Sequence, residues 1–309
     1  MKDLIVTKHI DKVFGDFKAV DDLSLSLESG KIYGIIGPNG AGKSTTMSLL
    51  MGLIFPSKGQ GSIKGYPLGS SKAKALIGYA PEFPDFYHNM TCLEYLVYMG
   101  QLSNLSYMQA IERSLVLLQE FGLLEYQDKK VVKFSTGMKK KVALIQALLH
   151  EPEILLLDEP TANLDPTSRH EIIKLIKNLV SQKQMTVLIS SHVLTELETI
   201  IDHVIMINHG HVLINEPLAV VLKQFNQTSI LVSCLNQTAL QTFLKQNDYQ
   251  FTIDHDIFRI TTANKTKCKK QIIKFIYEND DELFLLKEDQ ITLDGLYQQF
   301  MEEKNEGLS

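Results

Sequence analysis

A glycine-rich stretch near the start of the chain constrains its fold more than any other feature. Residues 32–36 (IYGII) predict the end of a buried strand, and residues 37–44 (GPNGAGKS) follow without a gap. These eight residues match the pattern G-x-x-x-x-G-K-[ST]. Glycines let successive N–H groups point inward at phosphate oxygens, and a helix predicted from Lys43 to about Met51 directs its positive end at the same anion. The sequence therefore predicts a nucleoside triphosphate site in a strand–loop–helix unit.

Two side chains of this loop have defined tasks in that chemistry. Lys43 has the reach to contact the β- and γ-phosphates, and the Ser44 hydroxyl has the position to bind Mg²⁺. A glycine-rich turn that matches the pattern by accident is the alternative. The strand before the loop and the helix after it argue against that alternative.

Composition narrows the class of protein and its partners. The chain has 309 residues, of which 44% are hydrophobic and 22% charged, so it is long enough for two globular domains. A formal net charge of −5 predicts no nucleic-acid partner. No apolar run approaches the ~18 residues that span a bilayer, and the N-terminus lacks a signal-peptide core. The scattered Cys92, Cys234 and Cys268 predict free thiols in a reducing cytoplasm.

The remaining pattern predicts an α/β chain with a helical insertion. Predicted helices of the insertion follow Thr91, Ser106 and Gly137 and end near Leu102, Phe121 and His150. A further helix is predicted from Asp165 to about Ser181. Predicted strands cover residues 4–10, 20–28, 77–80, 154–159, 186–191, 203–208 and 211–215. A short hairpin is also predicted around Ile63.

Two carboxylates and a histidine follow buried strands of this predicted sheet. Asp158 and Glu159 end the apolar run 154–157, and His192 follows the strand 186–191. Ligands of open α/β sheets bind outside the carboxyl ends of the strands. A capping role for the acids is the alternative, but two acids against an apolar strand are unfavourable without a cation. A lone histidine is usually structural, although this one has a favourable position.

The last third of the chain predicts a separate domain. Residues 229–234, 249–254, 256–262 and 283–287 are strand-like, and residues 237–246 and 266–278 are helix-like. This order, βαββαβ, is the ferredoxin-like or split-βαβ pattern. A terminal amphipathic helix is predicted over 292–303. We expect a first domain over residues 1–222, with a helical subdomain at about 88–152, and a second over 226–309.

These motifs in this order resemble the ATP-binding subunit of an ABC transporter over residues 1–222. Residues 134–138 (FSTGM) fall at the signature segment, whose usual form is LSGGQ, and residues 162–165 look like the D-loop. Asp158 and Glu159 look like the Walker B aspartate and the catalytic glutamate, and His192 looks like the switch histidine. Phe14, which alone would predict core packing, falls at the adenine-stacking position, and Glu82 falls at the glutamine-loop position. The resemblance implies a mixed-sheet core, an antiparallel β subdomain and a helical subdomain.

Two departures from the family pattern carry information. Thr136 and Met138 stand where glycine and glutamine are usual, and Glu82 replaces a glutamine. Both variants, and a C-terminal extension of this size, are similar to the subgroup that exports drugs, antibiotics and antimicrobial peptides.

The resemblance implies ATP and Mg²⁺ as ligands and assigns roles to specific residues. Catalytic roles fall to Lys43, Glu159 and His192. Metal-binding roles fall to Ser44, Asp158 and Glu82. The implied nucleotide-binding residues are Phe14, Gly37, Pro38, Asn39, Gly40, Ala41, Gly42, Lys43, Ser44, Thr45, Glu82, Ser135, Gly137 and Asp165.

The resemblance also implies partners. Two ATP-binding subunits, identical or different, would pack head to tail, with the signature segment of one completing the site of the other. A separate integral membrane permease would select the cargo, and this chain would lie peripherally on the cytoplasmic side of the plasma membrane. A cassette that regulates a membrane partner without transporting cargo is the alternative. Relatives that act on ribosomes carry two cassettes in one chain, whereas this sequence carries one. Relatives that repair DNA carry long heptad coils, which this sequence lacks.

The lysine run, residues 139–141, directly follows the signature segment. A solvated helix face is the first interpretation of such a run. Contact with phosphate or with anionic lipid headgroups is the alternative.

Overall fold

The strands of the chain form three sheets, seen in a computed structural model that describes residues 3–225, 229–262, 264–289 and 292–298. The chain divides into two units, Met1–Ala219 and Val220–Ser309. The strands of the first unit are β1 (Asp3–Phe14), β2 (Phe17–Leu23), β3 (Ser26–Glu28), β4 (Ile32–Ile36), β5 (Lys58–Ile63), β6 (Tyr66–Pro67), β7 (Ile77–Ala80), β8 (Ile154–Asp158), β9 (Thr186–Ser190), β10 (His203–Asn208) and β11 (His211–Pro217). Its helices are α1 (Lys43–Leu50), α2 (Ser71–Lys74), α3 (Cys92–Leu102), α4 (Tyr107–Glu120), α5 (Thr136–Leu148), α6 (Pro166–Lys183) and α7 (Leu194–Leu197), and α8 (Leu218–Phe225) follows.

A six-stranded sheet in the order β11-β10-β4-β9-β8-β7 carries the glycine-rich loop. Its strands from β10 to β7 are parallel, and β11 is antiparallel to β10. Every residue of β4, β8 and β9 is buried, as expected for a parallel sheet covered on both faces. Because parallel strands share a carboxyl edge, the loop after β4 and the acids at the end of β8 lie along the same edge of the sheet.

The antiparallel sheet has the order β2-β1-β5-β6, with β3 also paired to β1. The prediction of one strand over 20–28 is wrong, because the chain breaks between Leu23 and Ser26 into β2 and β3. Asp22 has φ +53°, and the Thr7 hydroxyl occupies the break by donating to Leu23 O at 3.1 Å and accepting from Leu25 N at 2.8 Å. Leu23, Leu25 and Leu27, at the break and on both sides of it, are all buried.

Side-chain caps define the helices of the insertion. α3 and α4 begin with capping boxes, formed by Thr91 with Glu94 and by Ser106 with Gln109. The prediction that α5 starts after Gly137 is wrong. α5 begins at Thr136, because the Ser135 hydroxyl accepts from Met138 N at 3.3 Å and caps the first turn.

The second unit contains β12 (Ser229–Cys234), α9 (Gln237–Gln246), β13 (Gln250–Asp254), β14 (Ile257–Thr261), α10 (Lys265–Glu278) and β15 (Leu283–Glu288). Its antiparallel sheet has the order β13-β14-β12-β15, and the predicted βαββαβ sequence of elements is confirmed. Residues such as Ile230, Phe258 and Ile272 pack into its own hydrophobic core. Of the helix predicted over 292–303, the structure describes residues 292–298, and residues 293–298 are helical. None of the described helices is long and apolar enough to cross a membrane.

Candidate nucleotide-binding and hydrolytic site

The loop between β4 and α1 is shaped by two glycines that have no room for a side chain. A Cβ on Gly37 would lie 2.1 Å from Ile207 O. Gly42 has φ +105°, and a Cβ there would lie 2.5 Å from Ala19 O. The β10–β11 turn also holds the loop, since Gly210 N donates to Ala41 O at 2.9 Å. The loop is therefore fixed by backbone contacts before any ligand binds.

The Lys43 ammonium lies inside this loop. Its side chain is buried, and Nζ donates to Gly37 O at 2.7 Å and to Pro38 O at 3.1 Å. Burial lowers the pKa of Lys43, and the charges of Glu159, Asp158 and Glu82 act in the opposite direction. The structure thus brings the loop lysine and the three predicted acids into one electrostatic group.

The remaining loop residues differ in exposure. Gly37, Ala41 and Gly42 are buried; Pro38 and Thr45 are half-buried; Asn39, Gly40 and Ser44 are exposed. The exposed side therefore presents the Ser44 hydroxyl, near the positive end of α1.

Asp158 and Glu159 are positioned by a residue that the sequence analysis did not identify. Asp158 and Ser190 are register partners at the ends of β8 and β9. The buried Ser190 hydroxyl donates to Asp158 Oδ1 at 2.6 Å and accepts from Glu159 N at 3.0 Å. The sequence offers one signal for Ser190, its position at the end of a predicted strand, because its pairing with Asp158 depends on the register between distant segments.

Glu159 and His192 form the second pair at this edge. Glu159 has φ +47°, an uncommon conformation for a residue with a Cβ. Its Oε2 accepts from His192 N at 3.3 Å and lies 2.8 Å from His192 Nδ1. The Glu159 side chain is 10% exposed and that of His192 is 61% exposed. A carboxylate oriented by an imidazole at the mouth of a site has the arrangement of a general base.

The prediction that the lysine run is a solvated face is wrong for Lys140. This residue is 5% exposed, and its Nζ donates to Glu82 O at 2.5 Å and to Glu159 O at 2.9 Å. Lys140 lies on the buried face of α5 with Gly137 and Leu144, at helical spacing. Lys141 is not free either, because its Nζ pairs with Glu171 Oε2 at 2.8 Å.

Three further predicted site residues, Phe14, Ser135 and Asp165, make contacts within their own segments. Phe14 is 48% exposed, so the core alternative for it is wrong, and Lys12 Nζ lies 4.8 Å from its ring centroid. Ser135 is exposed and caps α5. Asp165 caps α6 by accepting from Thr167 N, Ser168 N and Ser168 Oγ, and these hydrogen bonds lower the pKa of its carboxyl.

The donor chemistry of the loop edge fits a magnesium–nucleotide complex. Mg²⁺ binds proteins through one or two carboxylates and completes its shell with water and substrate phosphates. Among the residues that the structure describes, no cluster of three or more His, Cys, Asp or Glu side chains could hold a metal ion alone. Ser44 and Asp158 carry hard oxygen atoms, the ligand type that Mg²⁺ prefers, in or beside the glycine-rich loop.

The strand–loop–helix geometry around Lys43, beside carboxylates at the ends of strands in the same sheet, defines a P-loop nucleotide-binding protein. The family model described as ABC transporter matches residues 20–162. The bacitracin transport ATP-binding protein of Bacillus licheniformis is 41% identical over 215 residues, which cover 69% of each chain. A putative ABC transporter ATP-binding protein of Mycoplasma pneumoniae is 32% identical over 305 residues, covering 97% of this chain and 93% of its own. The chain belongs to the ATP-binding proteins of ABC transporters.

Further relatives and solved structures agree with this family. The linearmycin resistance ATP-binding protein of Bacillus subtilis is 36% identical over 212 residues, covering 68% of each chain. A solved ATP-binding subunit of an ABC transporter aligns with a TM-score of 0.65 at 31% identity, covering 72% of this chain and 93% of that chain. The ADP conformation of an ATP-binding cassette aligns with a TM-score of 0.63 at 27% identity, covering 70% and 92%.

Proposed function

We propose that this chain hydrolyses ATP to drive export of a drug, antibiotic or peptide through a separate membrane permease. The observation that carries hydrolysis is the Glu159 carboxylate, held by His192 at the same sheet edge as the Lys43 loop. Export is supported by relatives named for bacitracin transport and linearmycin resistance.

Binding of the triphosphate uses the loop and its lysine. The backbone N–H groups of Gly37 and of residues 39–45, together with the Lys43 ammonium, hold the phosphate oxygens, and the exposed Phe14 ring stacks on the adenine. Ser44, Asp158 and Glu82 would hold Mg²⁺ with their side-chain oxygens. Bound Mg²⁺ supplies neutralisation of the phosphate charge.

Hydrolysis uses Glu159 as the general base for the attacking water. His192 orients this carboxylate through the 2.8 Å contact and, on the exposed side of the site, contacts the γ-phosphate. Ser190 keeps Asp158 and the backbone of Glu159 in register with each other. The protein thus acts by positioning the reacting groups and by compensating the charge of the phosphates.

Assembly completes the site. A second ATP-binding subunit, identical or different, packs head to tail, and Ser135 and Gly137 of one subunit contact the nucleotide of the other at the N-terminus of α5. Asp165 lies at the same interface. The assembly joins an integral membrane permease at the cytoplasmic side of the plasma membrane.

The decisive experiment separates binding from hydrolysis. Lys43→Ala removes a charge-assisted phosphate contact, so ATP binding should weaken by about 10–100-fold. Glu159→Gln should bind ATP like the wild type and lose at least about 10²-fold in hydrolysis, because an amide cannot accept the proton. Equilibrium ATP binding and steady-state phosphate release measure the two effects. Wild-type turnover in Glu159→Gln would contradict the role of this carboxylate.

A further inference from the structure

One buried lysine joins three segments of the proposed site. Lys140 lies in α5 little more than one turn after the Ser135 cap. Its ammonium donates to Glu82 O at 2.5 Å and to Glu159 O at 2.9 Å. A single side chain therefore links α5, the segment after β7 and the residue that follows β8.

Packing alone does not account for a lysine at this position. Burying an ammonium is unfavourable unless it is hydrogen-bonded and paired. Burial lowers the pKa of Lys140, while the charges of Glu82, Glu159 and Asp158 favour its protonated form. Buried charge networks can often be replaced by apolar side chains without loss of stability, so a contribution to stability does not by itself explain this lysine.

The backbone of Glu159 needs such a restraint. Its φ of +47° is a left-handed conformation that persists only where surrounding contacts hold it. On one side, Glu159 N donates to Ser190 Oγ at 3.0 Å. On the other side, Glu159 O accepts from Lys140 Nζ and, at 3.1 Å, from Ala162 N. The direction of the carboxylate follows from a backbone held at both ends.

We propose that Lys140 is a positioning residue for hydrolysis. Its ammonium holds the carbonyls of Glu82 and Glu159, so that the Glu159 carboxylate stays aligned and shifts together with α5. This inference rests on the proposed hydrolytic function.

The kinetic test compares Lys140→Met with Lys141→Met. Lys141 has the same charge in the same helix but contacts Glu171 instead. Misplacing a catalytic group by about 1 Å can reduce a rate by about 10²-fold, so Lys140→Met should lose about 10–100-fold in kcat. The KM for ATP should stay near the wild-type value, because the loop around Lys43 is unchanged. Lys141→Met should retain both constants.

Amide hydrogen exchange of the full chain without nucleotide provides a second measurement. Residues 81–86 and 159–163 should exchange faster in Lys140→Met and at the wild-type rate in Lys141→Met. Lys140→Gln keeps N–H donors but removes the charge, and it should show the same pattern with a smaller loss. If Lys140→Met does not fold, Lys140→Gln is the variant used for the test.

Several outcomes would overturn the inference. Wild-type kcat together with wild-type exchange in both Lys140 variants would remove the positioning role. Faster exchange across the whole first unit with a raised KM would assign Lys140 a general structural role instead. A wild-type chain that does not hydrolyse ATP would contradict the proposed function, and localised exchange would still decide whether Lys140 holds the two segments.

Discussion

Buried charge is what distinguishes the site residues from the rest of the first unit. Counted as whole residues, Lys43, Lys140, Asp158 and Glu159 are each no more than 9% exposed. Isolated ionised groups would be strongly unfavourable at such burial. Here each ammonium has backbone carbonyl partners, and each acid is hydrogen-bonded by Ser190 or His192. The charges are therefore maintained by a mutual network, which makes single substitutions informative.

Glu82 is the departure from the family pattern that a residue-scale experiment tests best. Its negative charge favours the protonated forms of both Lys43 and Lys140, and the proposal assigns its carboxylate to Mg²⁺. Two unit charges about 4 Å apart interact by about 4 kcal/mol at an effective dielectric of about 20, and hard oxygen anions suit Mg²⁺. Glu82→Gln should therefore raise the Mg²⁺ concentration for half-maximal hydrolysis, with less effect on metal-free ATP binding.

A matched control for this experiment lies at the opposite edge of the sheet. Glu153 precedes β8 and pairs with Lys64 at 2.6 Å, so Glu153→Gln should leave the Mg²⁺ requirement unchanged. A Mg²⁺ titration of hydrolysis measures both variants. An unchanged requirement in Glu82→Gln would mean that this carboxylate does not serve the metal.

Among the structural elements, the joint between β4 and α1 leaves no room for a side chain at Gly37 or Gly42. The loop turns so tightly that a Cβ added at Gly37 or Gly42 would overlap a carbonyl oxygen of β10 or β2. This close approach couples the loop to both sheets of the first unit. Substitutions in the joint should therefore affect stability as well as nucleotide binding.

Gly42→Ala and Gly40→Ala separate backbone strain from steric overlap. Both glycines have positive φ, but a Cβ on Gly40 meets no atom within 4 Å, whereas one on Gly42 lies 2.5 Å from Ala19 O. Left-handed backbone costs about 1–2 kcal/mol for a residue with a Cβ, which should be the whole effect in Gly40→Ala. Gly42→Ala should lower the free energy of unfolding further. Chemical denaturation measures both, and equal losses would contradict the steric argument.

For the whole molecule, the division into two units separates the nucleotide site from the second hydrophobic core. All the predicted nucleotide, metal and catalytic residues lie in the first unit, and the second has its own core around Ile230 and Phe258. We therefore expect the second unit to regulate or dock and to take no part in hydrolysis.

Truncation after Phe225 tests that expectation. The shortened chain keeps the loop, both acids and His192, so its affinity for ATP should remain near that of the full chain. Equilibrium ATP binding is the measurement, with circular dichroism to confirm folding. A folded truncation that does not bind ATP would show that the boundary or the role is wrong.

ATP-dependent dimerisation is the second prediction for the whole molecule. Glu159→Gln with ATP should elute as a dimer on size exclusion, because bound nucleotide persists between the subunits. Ser135 is exposed at the N-terminus of α5, so adding Ser135→Arg should place a bulky cation in the interface and restore the monomer. A double mutant that still dimerises with ATP would contradict the head-to-tail arrangement.

Several features were predictable because the information is local in sequence. Contiguous residues encode the glycine-rich loop, the acids at the end of β8, the helix start after Thr91 and the βαββαβ order. Local backbone and capping preferences, together with hydrophobic periodicity, determine them. The same reasoning missed the break between β2 and β3, because a side chain from another strand, Thr7, stabilises it.

The sequence by itself determined the family, the phosphate loop and the identity of the acids. Tertiary structure alone decided how those acids are held. Ser190 reaches Asp158 because β8 and β9 pair in one register, and a shift by one residue would turn its hydroxyl to the other face. Lys140 reaches Glu82 and Glu159 because α5 packs with that side inward, although its neighbours in the lysine run suggest a solvated face. Register and helix orientation depend on contacts between distant segments, which no local pattern specifies.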